Sequence, residues 1–255
     1  MKILLAIYKL VNHLIIFFSG GKYKVINVSK NCTLPKGYFV LQKRDDVDFS
    51  LVEHRIAIVD PDYNKHWGNA EYLQDYLSEE RKKFYELIVK YITESSIKLN
   101  QESCVLDVGM GTGDFLDCLY KTYLRIGIKL KMYGVDRSEE SIKIAAQKVP
   151  NLDFSISNIH NLPFQSNFFE CVTCLEVLEH IQFVEKAFSE LVRITKKSGL
   201  IVISIPNGEK DDWLGHLNFW SKQSFLEMAL KLNVRLCKFA AIDKNSGFMF
   251  IFQKI

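Results

Sequence analysis

The sequence predicts an α/β fold in which parallel strands alternate with helices. From residue 100 onward, short apolar and β-branched runs of strand length alternate with longer segments of helical periodicity. The clearest unit is the strand Cys104–Val108, which leads through Gly109, Gly111 and Gly113 into a helix-like pattern. A second strand ends at Asp136, so both strands bring an acidic residue to the same edge of a parallel sheet.

Length and composition indicate a globular protein with one well-buried domain and an appendage, since the chain has 255 residues, 48% hydrophobic and 25% charged. The 33 basic and 30 acidic side chains give a formal net charge of +3, which is too balanced to require a nucleic-acid partner. The six cysteines lack the compact pattern of a disulfide framework, so we expect reduced thiols and a cytoplasmic location. Cys171 and Cys174 lie in a strand-like run, where residues three apart point to opposite faces, which argues against a shared metal.

Residues 1–65 are expected to form an N-terminal extension that precedes the main domain at 66–255. Residues 3–18 are almost wholly apolar, but the run is too short and too interrupted for a transmembrane helix of about 20 apolar residues. We expect a helix that docks on the protein's own core or on a second copy of the chain, with contact to a membrane surface as the alternative. Short strands are expected between residues 20 and 60, and helical periodicity follows over residues 70–97.

The glycine turn after the first strand predicts a ligand site, because glycine allows positive φ and close approach of a ligand to the backbone. A dinucleotide-binding fingerprint would need a third glycine at position 114, where Asp114 stands, and a pyrophosphate would meet the carboxylate of Asp107. An acid two residues before the first glycine instead suits a ligand with a cationic end. The pattern Asp-x-Gly-x-Gly-x-Gly over 107–113 resembles the first motif of class I S-adenosylmethionine-dependent methyltransferases.

Two later segments extend this resemblance to the rest of the cofactor. Asp136 is similar in position to the acid that accepts hydrogen bonds from both ribose hydroxyls in that family. Asn158 and Ile159 resemble the adenine motif, with Asn158 in place of the usual acid and Ile159 packed on the ring. The resemblance implies that S-adenosylmethionine is bound by Asp107, Gly109, Gly111, Gly113, Asp136, Arg137, Asn158, Ile159 and Leu175.

A group of ionisable residues follows the strand predicted at 168–175. Glu176, Glu179 and His180 have the spacing i, i+3 and i+4, which places them on one face if they begin a helix. The motif looks like that of quinone-biosynthesis O-methyltransferases and small-RNA 2′-O-methyltransferases, where it ligates a divalent ion. Two interpretations stay open: a metal site with His216 as a fourth ligand, or a helix start without metal, which we favour. Without a metal, His180 is the expected general base, and Glu176 contacts the cofactor or the substrate.

The segment after the fifth strand is expected to line the acceptor pocket. Residues 207–221 are polar and aromatic and are similar to the acceptor-lining segment of many small-molecule methyltransferases, which makes His216 a catalytic candidate. Packing of the same aromatic residues beneath a helix at 222–232 is the alternative. A turn at 196–199 and a terminal antiparallel hairpin of 234–242 and 248–255 complete the predicted domain.

The resemblance covers residues 66–255 and implies a Rossmann-like, seven-stranded methyltransferase sheet of order 3-2-1-4-5-7-6 with strand 7 antiparallel. The implied reaction moves a methyl group from S-adenosylmethionine to an oxygen, nitrogen or carbon of a small-molecule acceptor, a partner that the near-neutral charge favours over nucleic acid. Two alternatives stay open. One is a metal-assisted O-methyltransferase acting on a catechol-like or RNA-terminal hydroxyl, and the other is a cofactor-binding partner subunit without activity.

Overall fold

The computed structural model describes residues 78–211, 216–242, 244 and 246–255, together with the helical Leu14 and the backbone of three N-terminal strands. These strands are β1 (Tyr23–Asn27), β2 (Tyr38–Lys43) and β3 (Phe49–His54), which form an antiparallel sheet of order β1-β3-β2. The helix expected over residues 3–18 lies outside the described residues except for Leu14. The boundary between extension and domain at residues 65 and 66 also lies outside them and stays a prediction.

A seven-stranded mixed sheet forms the centre of the described domain. Its strands are β4 (Cys104–Val108), β5 (Lys131–Asp136), β6 (Leu152–Ile156), β7 (Phe169–Leu175), β8 (Thr195–Pro206), β9 (Val234–Ile242) and β10 (Gly247–Lys254). The spatial order is β6-β5-β4-β7-β8-β10-β9, and β10 runs antiparallel to both of its neighbours. Numbered within this sheet, the order is 3-2-1-4-5-7-6, so the predicted fold is confirmed.

Five α-helices and one 3₁₀ turn accompany these strands in the described part of the chain. The helices are α1 (Glu79–Thr93), α2 (Asp114–Arg125), α3 (Glu139–Lys148), α4 (Val184–Ile194) and α5 (Lys222–Ala229), and the 3₁₀ turn η1 is Leu178–His180. Serine side chains cap three of the helices: Ser78, Ser138 and Ser221 each accept a hydrogen bond from the backbone N–H three residues later. No helix among the described residues has the length and apolar character needed to cross a membrane.

Two apolar cores lie on opposite faces of the sheet, as the alternation of side chains along the strands requires. On one face, Leu106 of β4 belongs to a core with residues of α4 and α5, whereas its neighbour Val105 belongs to a core with residues of α1, α2 and α3. Strands β4 and β7 are buried along nearly their whole length, which is typical of central parallel strands covered on both faces. This burial holds the carboxyl ends of β4, β5, β7 and β8 as a rigid edge.

One sequence expectation about local structure was wrong, and one conditional interpretation does not apply. The turn expected at 196–199 lies inside β8. The pairing moves two residues along β7, from Phe169 to Cys171, but five along β8, from Thr195 to Leu200. Within this bulge Ser198 takes a left-handed φ of 64°. The residues after β7 do not begin a helix at Glu176, the condition under which Glu176, Glu179 and His180 would share one face; they form the short turn η1, and α4 begins at Val184. Glu176 itself has a left-handed φ of 55°, so the chain changes direction at the end of β7 before any helix can start.

Candidate cofactor and acceptor site

The loop between β4 and α2 has left-handed backbone at each of its three glycines, with φ of 76° at Gly109, 51° at Gly111 and 77° at Gly113. A Cβ at Gly109 would lie 2.3 Å from a methyl carbon of Val177. A Cβ at Gly113 would lie 3.0 Å from Ala145 of α3. Two of the glycines are therefore required by close packing within the protein as well as by the turn.

Asp107 and Asp136 lie on the neighbouring parallel strands β4 and β5, with Asp136 two residues beyond Gly134, the register partner of Asp107, and both are buried. The Thr173 hydroxyl donates to Asp107 Oδ1 at 2.6 Å. Burial raises the pKa of Asp107 to about 7; the Thr173 hydrogen bond lowers this pKa, and the neighbouring Asp136 carboxylate raises it. Two adjacent buried acids favour a ligand that carries positive charge.

Asp136 is tied to the loop and to the start of α3 by backbone donors. The N–H of Gly111 donates to Oδ2 at 2.9 Å, and the N–H of Ser138 donates to Oδ1 at 2.8 Å. Burial raises the pKa of Asp136, while these N–H groups oppose that rise. The carboxylate thus holds the glycine loop in place before any ligand arrives.

Asp114, which stands where a dinucleotide fingerprint has its third glycine, connects the loop to α3. Lys148 Nζ lies 2.7 Å from Asp114 Oδ1, and the Thr112 hydroxyl donates to the other carboxylate oxygen. Both members of the ion pair are largely buried. The aspartate therefore stabilises the turn, which explains why a glycine is dispensable at this position.

The segment expected to hold the adenine is organised around His160. The Asn158 side-chain oxygen accepts from the His160 backbone N–H at 2.9 Å and lies 2.7 Å from His160 Nδ1. His160 Nε2 lies 2.6 Å from the carbonyl oxygen of Gln182. Ile159 is buried. The oxygen expected to accept from the adenine amino group thus already has partners in the protein, and the role of Asn158 toward the cofactor stays a prediction.

A second group of ionisable residues lies after β7 and β8. Ligand atoms of Glu179, His180 and His216 all lie within 4.8 Å of one another, and the two imidazole rings have centroids 4.8 Å apart. The Glu179 side chain is 1% exposed. Neither of its carboxylate oxygens has a hydrogen-bond partner among the residues that the structure describes. Burial, and after it the Glu176 carboxylate, raise the pKa of Glu179 well above its usual range.

Backbone and side-chain hydrogen bonds join the two loops that carry this group. The N–H groups of Leu217 and Asn218 donate to the Glu179 carbonyl at 2.6 and 3.2 Å. The Asn218 amide donates to the carbonyls of Leu178 at 3.1 Å and Ile181 at 2.8 Å. Asn218 therefore connects the loop that contains His216 to η1 by hydrogen bonds.

Comparison with known proteins found a family match and several similar proteins. Residues 106–203 match the family described as "Methyltransferase domain". This match agrees with the predicted resemblance to class I methyltransferases over that part of the chain. Over 109 residues it is 27% identical to the ubiquinone/menaquinone biosynthesis C-methyltransferase UbiE of Campylobacter jejuni, covering 42% of this chain and 46% of the relative. It is 29% identical over 114 residues to the demethylmenaquinone methyltransferase of Thermotoga maritima, covering 45% of this chain and 48% of the relative.

The match spans slightly less than half the length of each of these relatives. A solved structure, a SAM-dependent methyltransferase from Aquifex aeolicus, superposes with a TM-score of 0.60 at 20% identity, covering 73% of this chain and 99% of that one. The superposition confirms the predicted fold, and the family match supports the predicted resemblance, with S-adenosylmethionine as the cofactor that it implies.

Within this domain, the predicted cofactor residues lie at or just after the carboxyl ends of β4, β5, β6 and β7. Leu175 is buried at the end of β7, and Arg137 is exposed directly after Asp136. Glu176 donates its N–H to the Ser204 carbonyl and hydroxyl, at 3.1 and 3.0 Å, and lies outside the group formed by Glu179 and the two histidines. The condition for a shared helical face of Glu176, Glu179 and His180 is not met, because Glu176 precedes the turn η1.

Two of the aromatic residues expected to line the acceptor pocket are buried. Phe219 and Trp220 are each 2% exposed, and the Trp220 ring lies 5.3 Å from that of Phe225 in α5. Trp220 therefore packs beneath α5, as the alternative interpretation expected. Trp213 lies outside the described residues. Sequence reasoning missed Asp211 and Asn218, because their partners come from loops with no periodic pattern.

Proposed function

We propose that this chain transfers the methyl group of S-adenosylmethionine to a small-molecule acceptor through an oxygen, nitrogen or carbon nucleophile. One contact carries the proposal: Gly109 of the glycine loop lies against Val177, the residue that precedes η1. This contact brings the predicted cofactor residues next to the Glu179, His180 and His216 group at one edge of the sheet. A methyl donor and a proton-accepting group would then face each other across a short gap.

The chain's residues would contribute mainly by binding and orientation. Asp107 and Asp136 offer negative charge to the cofactor's amino group and hydrogen-bond acceptors to its ribose hydroxyls. When bound, S-adenosylmethionine supplies the electrophilic methyl group. Ile159 and Leu175 are buried apolar side chains that keep water away, and His180 would accept the proton of a hydroxyl acceptor.

The names of the two relatives support an aromatic, quinone-like ring as the acceptor class. A flat ring also suits a site bordered by two imidazole rings, whose centroids are 4.8 Å apart. The relatives match over less than half of their length, so the acceptor is part of the proposal. The cytoplasmic location, and a partner or membrane contact through residues 3–18, also stay predictions.

Calorimetric titration with S-adenosylmethionine and with S-adenosylhomocysteine tests the cofactor. We expect micromolar binding, about −8 kcal/mol, that is lost in Asp107→Ala. Radiolabelled methyl transfer to a panel of hydroquinones, catechols and amines then tests the acceptor. Binding without transfer to any acceptor would favour the inactive partner subunit, and absence of binding at millimolar ligand would refute the proposal.

A second candidate function is metal-assisted methylation of a hydroxyl, and Glu179 favours it. A carboxylate that is 1% exposed and lacks a hydrogen-bond partner among the described residues needs either a proton or a cation. One carboxylate and two imidazoles form a donor set that suits divalent transition metals. Glu179, His180 and His216 would hold the ion, which when bound would polarise the acceptor hydroxyl.

Thermal unfolding of EDTA-treated protein with and without Mn²⁺ separates the two candidates. Metal binding predicts a higher melting temperature with Mn²⁺ that is absent in Glu179→Gln, together with loss of transfer on adding EDTA. Glu190→Gln is the control, since this glutamate is held by Arg193 and lies outside the group. Equal melting temperatures with and without Mn²⁺ would refute the metal-assisted candidate and favour the metal-free reaction.

A further inference from the structure

We infer that Asp211 is a positioning residue that fixes the ring orientation and the tautomer of His216; the inference rests on the proposed function for its catalytic meaning. Asp211 Oδ2 lies 2.6 Å from His216 Nδ1. The side chains are 6% and 11% exposed, so water competes little for this hydrogen bond. An ionised carboxylate only accepts hydrogen bonds, so His216 Nδ1 carries the hydrogen and Nε2 carries the lone pair of the neutral ring.

This tautomer decides what His216 can do beside Glu179 and His180. A ring nitrogen with a lone pair can accept a proton from an acceptor hydroxyl or ligate a cation, whereas an N–H group can do neither. A second hydrogen bond from the opposite ring nitrogen is the usual way in which proteins orient such histidines. Asp211 therefore serves His216 in both candidate reactions.

The backbone around Asp211 is itself held in place. The Asp211 N–H donates to the Asn207 carbonyl at 2.9 Å, and the Gly208 N–H donates to the Trp220 carbonyl at 2.8 Å. A Cβ at Gly208 would lie 2.3 Å from the carbonyl carbon of Phe219, so the turn packs directly on the chain that follows His216. The distance between Asp211 and His216 is thus set by contacts on both sides of the pair.

Long-range ¹H–¹⁵N NMR of the full chain, labelled on histidine and recorded at pH 8.5, tests the inference directly. We expect His216 in the Nδ1–H tautomer in the wild-type protein, and mainly in the Nε2–H tautomer in Asp211→Ala. Glu209→Ala is the matched control, because it removes an exposed carboxylate from the same turn and should leave the His216 signals unchanged. A wild-type His216 in the Nε2–H tautomer overturns the inference, even if the Asp211→Ala protein fails to fold.

Kinetics and ligand binding then give the functional readout. In Asp211→Ala we expect kcat, or Mn²⁺ affinity if the metal candidate holds, to fall by about 10–100-fold. Affinity for S-adenosylhomocysteine should stay within twofold, because Asp211 lies outside the predicted cofactor residues. Unchanged kcat and Mn²⁺ affinity in the variant would overturn the positioning role. The expected tautomer in a wild-type protein without any methyl transfer would keep the inference and refute the proposed function.

Discussion

The site has a cofactor half, which consists of Asp107, the glycine loop and Asp136, and an acceptor half, which consists of Glu179, His180 and His216. Asp107 and Asp136 both accept hydrogen bonds from the protein, whereas Glu179 has no such donor among the described residues. The donors that satisfy the first two acids come from β7, the glycine loop and the start of α3. A buried acid without hydrogen-bond donors needs a proton or a cation, which a metal ion or a protonated His180, whose Nε2 lies 3.8 Å from Glu179 Oε1, would supply.

The two halves also differ in the elements that build them. The cofactor half lies on adjacent parallel strands and the helix ends that follow them, which is the usual ligand position in open α/β sheets. The acceptor half lies on η1 and on the loop after β8, and the hydrogen bonds of Asn218 join these two segments. We infer that the cofactor half is preorganised and that the acceptor half carries the specificity.

The largest expected effect is on cofactor binding, in Asp136→Ala. Loss of two charge-assisted hydrogen bonds to the ribose, each about 1.5–3 kcal/mol, predicts an affinity for S-adenosylhomocysteine lower by at least about 100-fold. Asp153→Ala is the control in the same calorimetric titration, since Asp153 is an exposed acid on the adjacent strand β6. An Asp136→Ala affinity within threefold of the wild type would show that this acid organises the loop only.

The contact between the two halves is tested by Gly109→Ala. The new Cβ would lie 2.3 Å from Val177 on a backbone with φ of 76°. Overpacking and left-handed strain together predict a loss of about 2 kcal/mol in the free energy of unfolding, measured in urea. Val177→Ala in the same chain should recover the overpacking part. If it recovers nothing, the halves are not coupled at this contact.

The acid character of the cofactor half predicts pH-dependent binding. The pKa of Asp107 is about 7 in the folded protein, above its ordinary value of 3.8, so the unliganded protein loses stability as pH rises from about 4 to 7. A cationic amino group needs the ionised form, so S-adenosylhomocysteine affinity should rise about tenfold between pH 6 and pH 8. Calorimetry at several pH values checks this. The Asp107→Asn variant should bind S-adenosylhomocysteine weakly, with an affinity that does not change between pH 6 and pH 8. An affinity that still rises steeply with pH in this variant would show that a group other than Asp107 causes the dependence.

The smallest expected effect comes from the donor that satisfies Asp107. Thr173→Val removes a 2.6 Å hydrogen bond that favours the ionised acid, so the pKa of Asp107 should rise further. The affinity for S-adenosylhomocysteine at pH 7 should fall about fivefold, which corresponds to the roughly 1 kcal/mol of such a bond. Thr195→Val is the matched control, a buried threonine whose hydroxyl bonds to Leu191 away from the site. Equal losses in both variants would indicate a general packing effect.

Most of the cofactor half could be predicted because its signals are local. The strand Cys104–Val108 and the alternate glycines are visible in a window of a few residues, and the structure confirms both of them. The start of η1 could not be predicted, because the left-handed turn at Glu176 depends on where β7 leaves the sheet. The same helical spacing that grouped Glu176 with Glu179 was therefore misleading.

The fold class and the acids at the strand ends could be predicted from the sequence alone, because periodicity and glycine turns are local patterns. The order of the strands was implied by the resemblance to a known family. Only the tertiary structure decided that Asp211 pairs with His216, that Asn218 joins the two loops, and that Glu179 is buried without a donor in the described structure. These features arise where loops from different strands meet. Their geometry follows from the packing of the whole sheet, and no local pattern encodes it.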